Sequence, residues 1–171
     1  SPLDWANARR TFDLIPHLLY KAKTWNYDLF WSRPNIVLAR ELNQPDYNAQ
    51  FFGSYLTYKG RANRLYDLYY LALLSDQENE RSYNGEIGEF QVHTLGMRLQ
   101  GEENNWLWEA EAAYQFGRHS VPTLDRSIPR NAGMLTTGVG RRFAKSPLKP
   151  ELWFYYDYAS GNRNPLADDY S

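Results

Sequence analysis

The sequence predicts an all-β chain, a segment of an antiparallel up-and-down transmembrane β-barrel with about eight strands, and three observations carry that prediction. Apolar and polar residues alternate with period two over stretches of about nine to twelve residues, while no window of that length places apolar residues convincingly at i, i+3, i+4 and i+7. The connections between these stretches alternate between short and long. Six Trp, fourteen Tyr and eight Phe stand beside two Met in a chain of mean hydropathy −0.69, so the apolar surface is largely aromatic and amphipathic, a kind that strands and membrane interfaces both favour.

Strands are expected at 12–20, 25–33, 50–58, 65–74, 91–100, 106–117, 134–143 and 151–159. The first ends at a short polar connection, Lys21 to Thr24. The second sets Trp25, Tyr27, Leu29 and Trp31 against Asn26, Asp28, Phe30 and Ser32. The third and fourth are apolar on both parities, and pattern alone leaves their orientation open. In the fifth, Leu95, Met97 and Leu99 oppose Thr94, Gly96, Arg98 and Gln100; in the sixth, Trp106, Trp108, Ala110, Ala112, Tyr114 and Phe116 oppose Glu109, Glu111, Ala113, Gln115 and Gly117. The seventh sets Leu135, Thr137, Val139 and Phe143 against Met134, Thr136, Gly138, Gly140 and Arg142, with Arg141 an exception near one end. The eighth sets Leu152, Phe154, Tyr156 and Tyr158 against Trp153, Tyr155 and Asp157. Four connections are short and polar (21–24, 59–64, 101–105 and 144–150), and three run about sixteen residues each (34–49, 75–90 and 118–133) before a polar stretch from Ser160. Tight turns on one side of a sheet and long loops on the other is the layout of an outer-membrane barrel.

Composition removes other classes. The 171 residues fit a single domain, 1–171. Nineteen basic against twenty acidic side chains give a formal charge of −1, which leaves no electrostatic footprint for a nucleic-acid partner. The absence of cysteine excludes thiolate zinc sites, thiol catalysis and disulfides. The longest apolar run, Leu68 to Ser75, stops between Asp67 and Asp76, far short of a transmembrane helix. The chain opens Ser-Pro-Leu, without an initiator Met or a signal peptide, and reads as a cut piece of something longer.

Alternation alone does not say which parity meets which solvent. A soluble eight-stranded ligand carrier buries the apolar parity, whereas a membrane barrel turns it outward. Aromatic residues at the strand ends, such as Trp25 with Trp31 and Trp106 with Phe116, read as interfacial girdles, and lengths near nine to eleven residues suit a tilted crossing of the hydrocarbon layer. If the polar parity faces a channel, Asp28, Arg98, Glu109, Glu111, Arg142 and Asp157 project into its water, with Arg33 and Arg118 at strand mouths. Charges so placed set selectivity. Fourteen of the nineteen basic residues are Arg, whose planar fork suits carboxylates, although the same fork serves lumen neighbours such as Glu109 and Glu111.

Six segments stand out: Asp28-Leu29-Phe30-Trp31-Ser32-Arg33-Pro34, Gln50-Phe51-Phe52-Gly53-Ser54-Tyr55, Leu65-Tyr66-Asp67-Leu68-Tyr69-Tyr70-Leu71, Thr94-Leu95-Gly96-Met97-Arg98-Leu99 with Gly101, Glu109 through Arg118, and Tyr156 through Asn162 with Asn164-Pro165 and Asp168. In residues, order and spacing they resemble the alginate export family of bacterial outer-membrane porins. The resemblance spans about Arg10 to Asp169. It implies a large monomeric barrel in the outer-membrane lipid of bacteria, with more strands than these eight, passing an anionic polysaccharide or a small anionic solute by diffusion and needing no cofactor. The chain departs from a whole family member in lacking the remaining strands and a C-terminal aromatic residue.

Rival chemistry finds little support. Glu109 and Glu111 stand about 6.5 to 7 Å apart by backbone rise, the reach of an inverting glycosidase pair, yet two solvated lumen charges are the better account, since no third residue supports catalysis. No nucleophile, base and orienting group converge, so no enzyme is expected. His17, His93 and His119 are scattered without a metal-binding spacing. Gly138-Val139-Gly140 lies in a strand rather than before a helix, where it makes room for bulky neighbours or eases curvature. Asn162, Asn164, Asp168 and Asp169 offer oxygen donors of the kind calcium takes, but an ordinary solvated loop is the better account of them.

Overall fold

A computed structural model describes residues 12–36, 44–76, 88–121 and 126–160. Its elements are β1 (Phe12–Lys21), β2 (Trp25–Ile36), β3 (Gln44–Pro45), β4 (Ala49–Arg61), β5 (Arg64–Ser75), β6 (Phe90–Glu103), β7 (Trp106–Val121), β8 (Arg126–Arg142) and β9 (Glu151–Ala159). The eight long strands form one antiparallel sheet in the order β1-β2-β4-β5-β6-β7-β8-β9, and the two-residue β3 pairs with β2 outside that path. Each long strand lies beside its neighbour in sequence, as up-and-down connection requires. Among the described residues β1 and β9 each pair on one side, so the sheet is open.

The turns are where the polar connections place them. Asn104 and Asn105 both take positive φ (52° and 64°) between the paired Glu103 and Trp106. Two such residues make the turn whose twist matches the flanking strands, and Asn tolerates that conformation better than most residues. Asn63 (φ 58°) plays a similar part between the paired Arg61 and Arg64. The longer β8–β9 turn is closed by the Phe143 amide donating to the Pro150 carbonyl at 3.0 Å.

One expected loop is largely strand. Residues 118–133 read as a long connection, yet β7 continues to Val121 and β8 begins at Arg126, with register kept from Val121↔Arg126 downward. Arg118, Ser120, Arg130 and Asn131 carry no apolar alternation, because beyond the hydrocarbon layer the ladder no longer needs an apolar face. Pro129 fits there since, among the described residues, β9 ends opposite Met134 and β8 has no further partner on that side.

The register sorts every side chain. The row Asp28, Tyr55, Tyr69, Gly96, Ala113, Met134, Ala159 runs directly across β2 to β9, and a second row, Tyr27, Leu56, Leu68, Met97, Ala112, Leu135, Tyr158, occupies the opposite face. The ambiguous β4 and β5 are thereby oriented: Phe51, Tyr55, Asp67 and Tyr69 share the face of Asp28. Cross-strand ring pairs help hold this register, with Tyr55 and Tyr69 stacked at 5.5 Å on one face and Trp25 and Tyr58 at 4.5 Å on the other.

The two faces differ in exposure in the reverse of a water-soluble fold. In β5, Leu68 and Tyr70 on the apolar face are 50% and 37% exposed, while Asp67 and Tyr69 on the other are 7% and 9% exposed. Ser32, Ser75 and His119 are likewise buried on the polar face, whereas Leu18, Leu95, Met97, Val139, Leu152 and Phe154 are exposed on the apolar one. Side chains of a single-layer sheet shade one another most on the concave side, so the sheet curls around its polar face. A continuous apolar face of this extent is far larger than water-soluble monomers expose, and it requires an apolar solvent or cover.

Candidate functional site

The sheltered face holds a set of polar contacts that runs across the sheet. At the β1 side, His17 Nε2 and Asp28 Oδ1 lie 3.0 Å apart. Between β4 and β5, the Thr57 hydroxyl donates to Asp67 at 2.7 Å. At the centre, the Tyr69 hydroxyl donates to Glu111 at 2.6 Å across the intervening β6, and Arg98 donates to Glu109 at 3.3 Å. Toward β9, Arg142 binds both Glu102 and Glu151, the latter at 2.6 Å. Near the long-loop end, Arg130 donates to Gln115 at 2.9 Å, and Gln115 to Thr94 at 3.2 Å.

Glycines make this face possible. A Cβ at Gly53, Gly96, Gly138 or Gly140 would enter the ring of Phe30, Tyr69, Tyr155 or Trp153 respectively. Each ring belongs to the neighbouring strand and lies flat over the bare backbone, so the aromatics line the wall instead of filling the space in front of it. Gly138 and Gly140 thus do make room for bulky neighbours. By crossing Gly96, the Tyr69 ring brings its hydroxyl to Glu111 on β7.

Of the eight residues singled out from sequence, Asp28, Arg98, Glu109, Glu111, Arg142 and Asp157 share the polar face, as their parity requires. They are not one cluster. Arg98, Glu109 and Glu111 stand together at the centre, Arg142 sits at the short-turn end of β8, Asp28 lies on β2 beside His17, and Asp157 lies on β9 opposite Thr136. Arg33 and Arg118 fall on the other parity: Arg33 follows Trp31 and sits over the rings of Trp31 and Tyr47 at 5.2 and 4.9 Å, and Arg118 follows Phe116 and pairs with Pro129 inside the lengthened β7–β8 ladder. The register reason is plain, since each lies an odd number of residues from the polar-face residues of its strand, Asp28 and Glu111, and being near the strand end, past the apolar band, allows a charge there.

Residues that sequence reasoning missed include Asp67, Tyr69, Glu102 and Trp153. Asp67 and Tyr69 sit in a strand apolar on both sides, where parity carries no signal; counting back from the Ala62-Asn63 turn would have placed Asp67 opposite Thr57 only with knowledge of the register shift between Tyr58 and Arg61. The exception noted at Arg141 has a structural reason: its guanidinium lies 4.8 Å from the Trp106 ring centroid and donates to the Asn104 carbonyl at 3.1 Å, at the rim of the apolar face.

Chemically, this face offers hydrogen bonding and fixed charge. Glu109 and Glu111 are each engaged, by Arg98 and by Tyr69, and no group of three or more His, Asp or Glu residues able to hold a metal occurs among the described residues. The Asn162 to Asp169 stretch considered for calcium lies outside the described residues from Gly161 onward. A soluble carrier would need the apolar parity to line its pocket, and that parity is the exposed one.

A single-layer meander with a greasy exposed face, aromatic residues near both strand ends and a sheltered polar face is the wall of an outer-membrane β-barrel. The sequence model of the alginate export family matches residues 1–169, and the chain belongs to that family, one of outer-membrane transporters and not of enzymes. No curated protein and no solved structure matches the chain.

Proposed function

We propose that this sheet is part of the wall of a diffusion pore that passes an anionic, alginate-like polysaccharide or small anionic solutes across the bacterial outer membrane. The observation that carries the reading is the inverted exposure of the two faces, with Asp67 and Tyr69 buried beside exposed Leu68 and Tyr70 on the same strand. A wall so built presents water and fixed charge to the inside and hydrocarbon to the outside. The lumen carries both signs. Its arginines are largely paired, Arg98 with Glu109 and Arg142 with Glu102 and Glu151, so passage depends on width and on the balance of the field rather than on a chain of free cations. Solutes would move down their gradient, with no turnover and no cofactor.

Planar-bilayer conductance of the full-length protein tests this, with reversal potential in asymmetric KCl and oligouronate added to one side. Discrete steps, anion preference and uronate block are expected, and Arg98→Glu or Arg142→Glu should lower the anion preference. Absence of channel steps would refute the pore; unchanged reversal potentials in both variants would remove the two arginines from the pathway.

A further inference from the structure

The β8–β9 turn is built unlike the other short turns of its rim. The turns at Ala62-Asn63 and Asn104-Asn105 are tight and polar, whereas residues 143–150 make a longer one that carries Leu148, 90% exposed. Its backbone closes on itself: the amides of Phe143, Ser146 and Lys149 donate to the carbonyls of Pro150, Phe143 and Ser146, each at 3.0 Å. Arg142 clamps the base of the turn on the polar face by binding Glu102 and Glu151. A turn so fixed displays Leu148 by construction.

The turn springs from the outward, apolar face. Trp106, Arg141 and Leu152 form one row across β7, β8 and β9 on the parity of Val139, and Phe143 stands one step further along that parity. Trp106, Phe143 and Leu152 are all exposed. Residues 141–150 hold four basic side chains and no acidic one. Arg142 is spent on its two glutamates, but Arg141 donates only to the Asn104 carbonyl and lies against the Trp106 ring, and Lys145 and Lys149 are exposed and make no ion pair among the described residues. Three cations without an acidic partner thus accompany exposed apolar side chains. Two residues past Arg141, at roughly 3.3 Å each and a tilt of roughly 35–45°, reach about 5 Å along the membrane normal, within a headgroup layer about 5–7 Å deep. Water alone solvates the cations and strands Leu148; a phosphate-rich interface accommodates both.

We infer that the β8–β9 turn is a docking surface for anionic phospholipid of the leaflet on the short-turn side, the periplasmic one in barrels of this kind, with Phe143 and Leu148 entering the boundary between headgroups and acyl chains and Arg141, Lys145 and Lys149 taking the lipid phosphates. Such docking fixes the depth of the wall in its membrane and is independent of which solute passes. The β1–β2 turn carries as many lysines, Lys21 and Lys23, but only Ala22 and Thr24 beside them between the strands, and it serves as the control.

The test is native mass spectrometry of the full-length protein released from detergent micelles, titrated with phosphatidylglycerol, phosphatidylcholine or soluble glycerol 3-phosphate. Phosphatidylglycerol should bind at least tenfold tighter than phosphatidylcholine. Lys145→Gln/Lys149→Gln should weaken it at least tenfold, Lys21→Gln/Lys23→Gln by less than twofold, and Leu148→Ser should weaken both lipids at least threefold. All these positions lie at turns or strand ends, and retention of the folded band in unboiled electrophoresis would verify that each variant folds. Equal affinity for the two lipids in the parent would overturn the role of charge. Unchanged binding in Lys145→Gln/Lys149→Gln, or an equal loss in the two double variants, would overturn the assignment to this turn. Displacement of the lipid by equimolar glycerol phosphate would make the site one for free phosphate, and an unaffected Leu148→Ser would remove the apolar insertion.

Discussion

The inverted arrangement of the faces makes a sharp prediction on one strand. Met97 and Thr94 both lie in β6, Met97 in the exposed apolar row and Thr94 on the sheltered polar face. Ala112, directly opposite Met97, comes six residues after Trp106 and four before Phe116. At roughly 3.3 Å per residue the stretch from Trp106 to Phe116 is about 33 Å long, and a tilt of roughly 35–45° brings it to about 25 Å along the membrane normal, the height of the apolar band in barrels of this kind. Met97 therefore lies close to the midplane. An Arg placed there on the lipid side costs about 2–4 kcal/mol, whereas Thr94→Arg should cost no more than about 1 kcal/mol, chiefly its hydrogen bond with Gln115. The folded-to-unfolded ratio of Met97→Arg should then fall by about 30- to 1,000-fold. Urea titration of the protein folded in lipid vesicles, read by tryptophan fluorescence, measures both. A Met97→Arg variant as stable as the parent, beside a Thr94→Arg variant that loses 2 kcal/mol or more, would mean that the polar face is the one against lipid and would refute the argument.

Two other outcomes can be checked with the same titration. Tyr69→Phe keeps the ring on Gly96 and its stack with Tyr55 but removes the donor to Glu111, so it should cost about 1.5–3 kcal/mol, the range for hydrogen bonds to charged groups, while Tyr158→Phe on the exposed face should be nearly silent. At the β6–β7 turn, Asn105→Gly should match or exceed the parent in stability, and Asn105→Val should lose about 1–2 kcal/mol because a branched residue at φ 64° is strained; equal stability of the two would contradict the turn geometry.

Much of this architecture is legible in the residues themselves, because strand parity and turn chemistry are local. The alternation of Trp106 to Phe116 against Glu109 to Gly117 assigns each side chain to a face without reference to any other strand, and Asn104-Asn105 marks its turn by the conformation Asn tolerates. The eight strands and the short connections were therefore accessible from sequence, as were six of the charges on the polar face. What a strand's own pattern does not contain is its partner. The facing of β4 and β5, the burial of Asp67 and the reach of Tyr69 over Gly96 to Glu111 depend on cross-strand register, which the turns and a shift between Tyr58 and Arg61 set jointly. The continuation of β7 and β8 past Gly117 was hidden for a related reason: ladder hydrogen bonds use only the backbone, so polar residues can be strand wherever no apolar solvent demands alternation. The direction in which the sheet curls is likewise a property of the assembled strands, and it alone decides that the charged parity is the sheltered one, since a row of residues acquires an inside only when its neighbours bend around it.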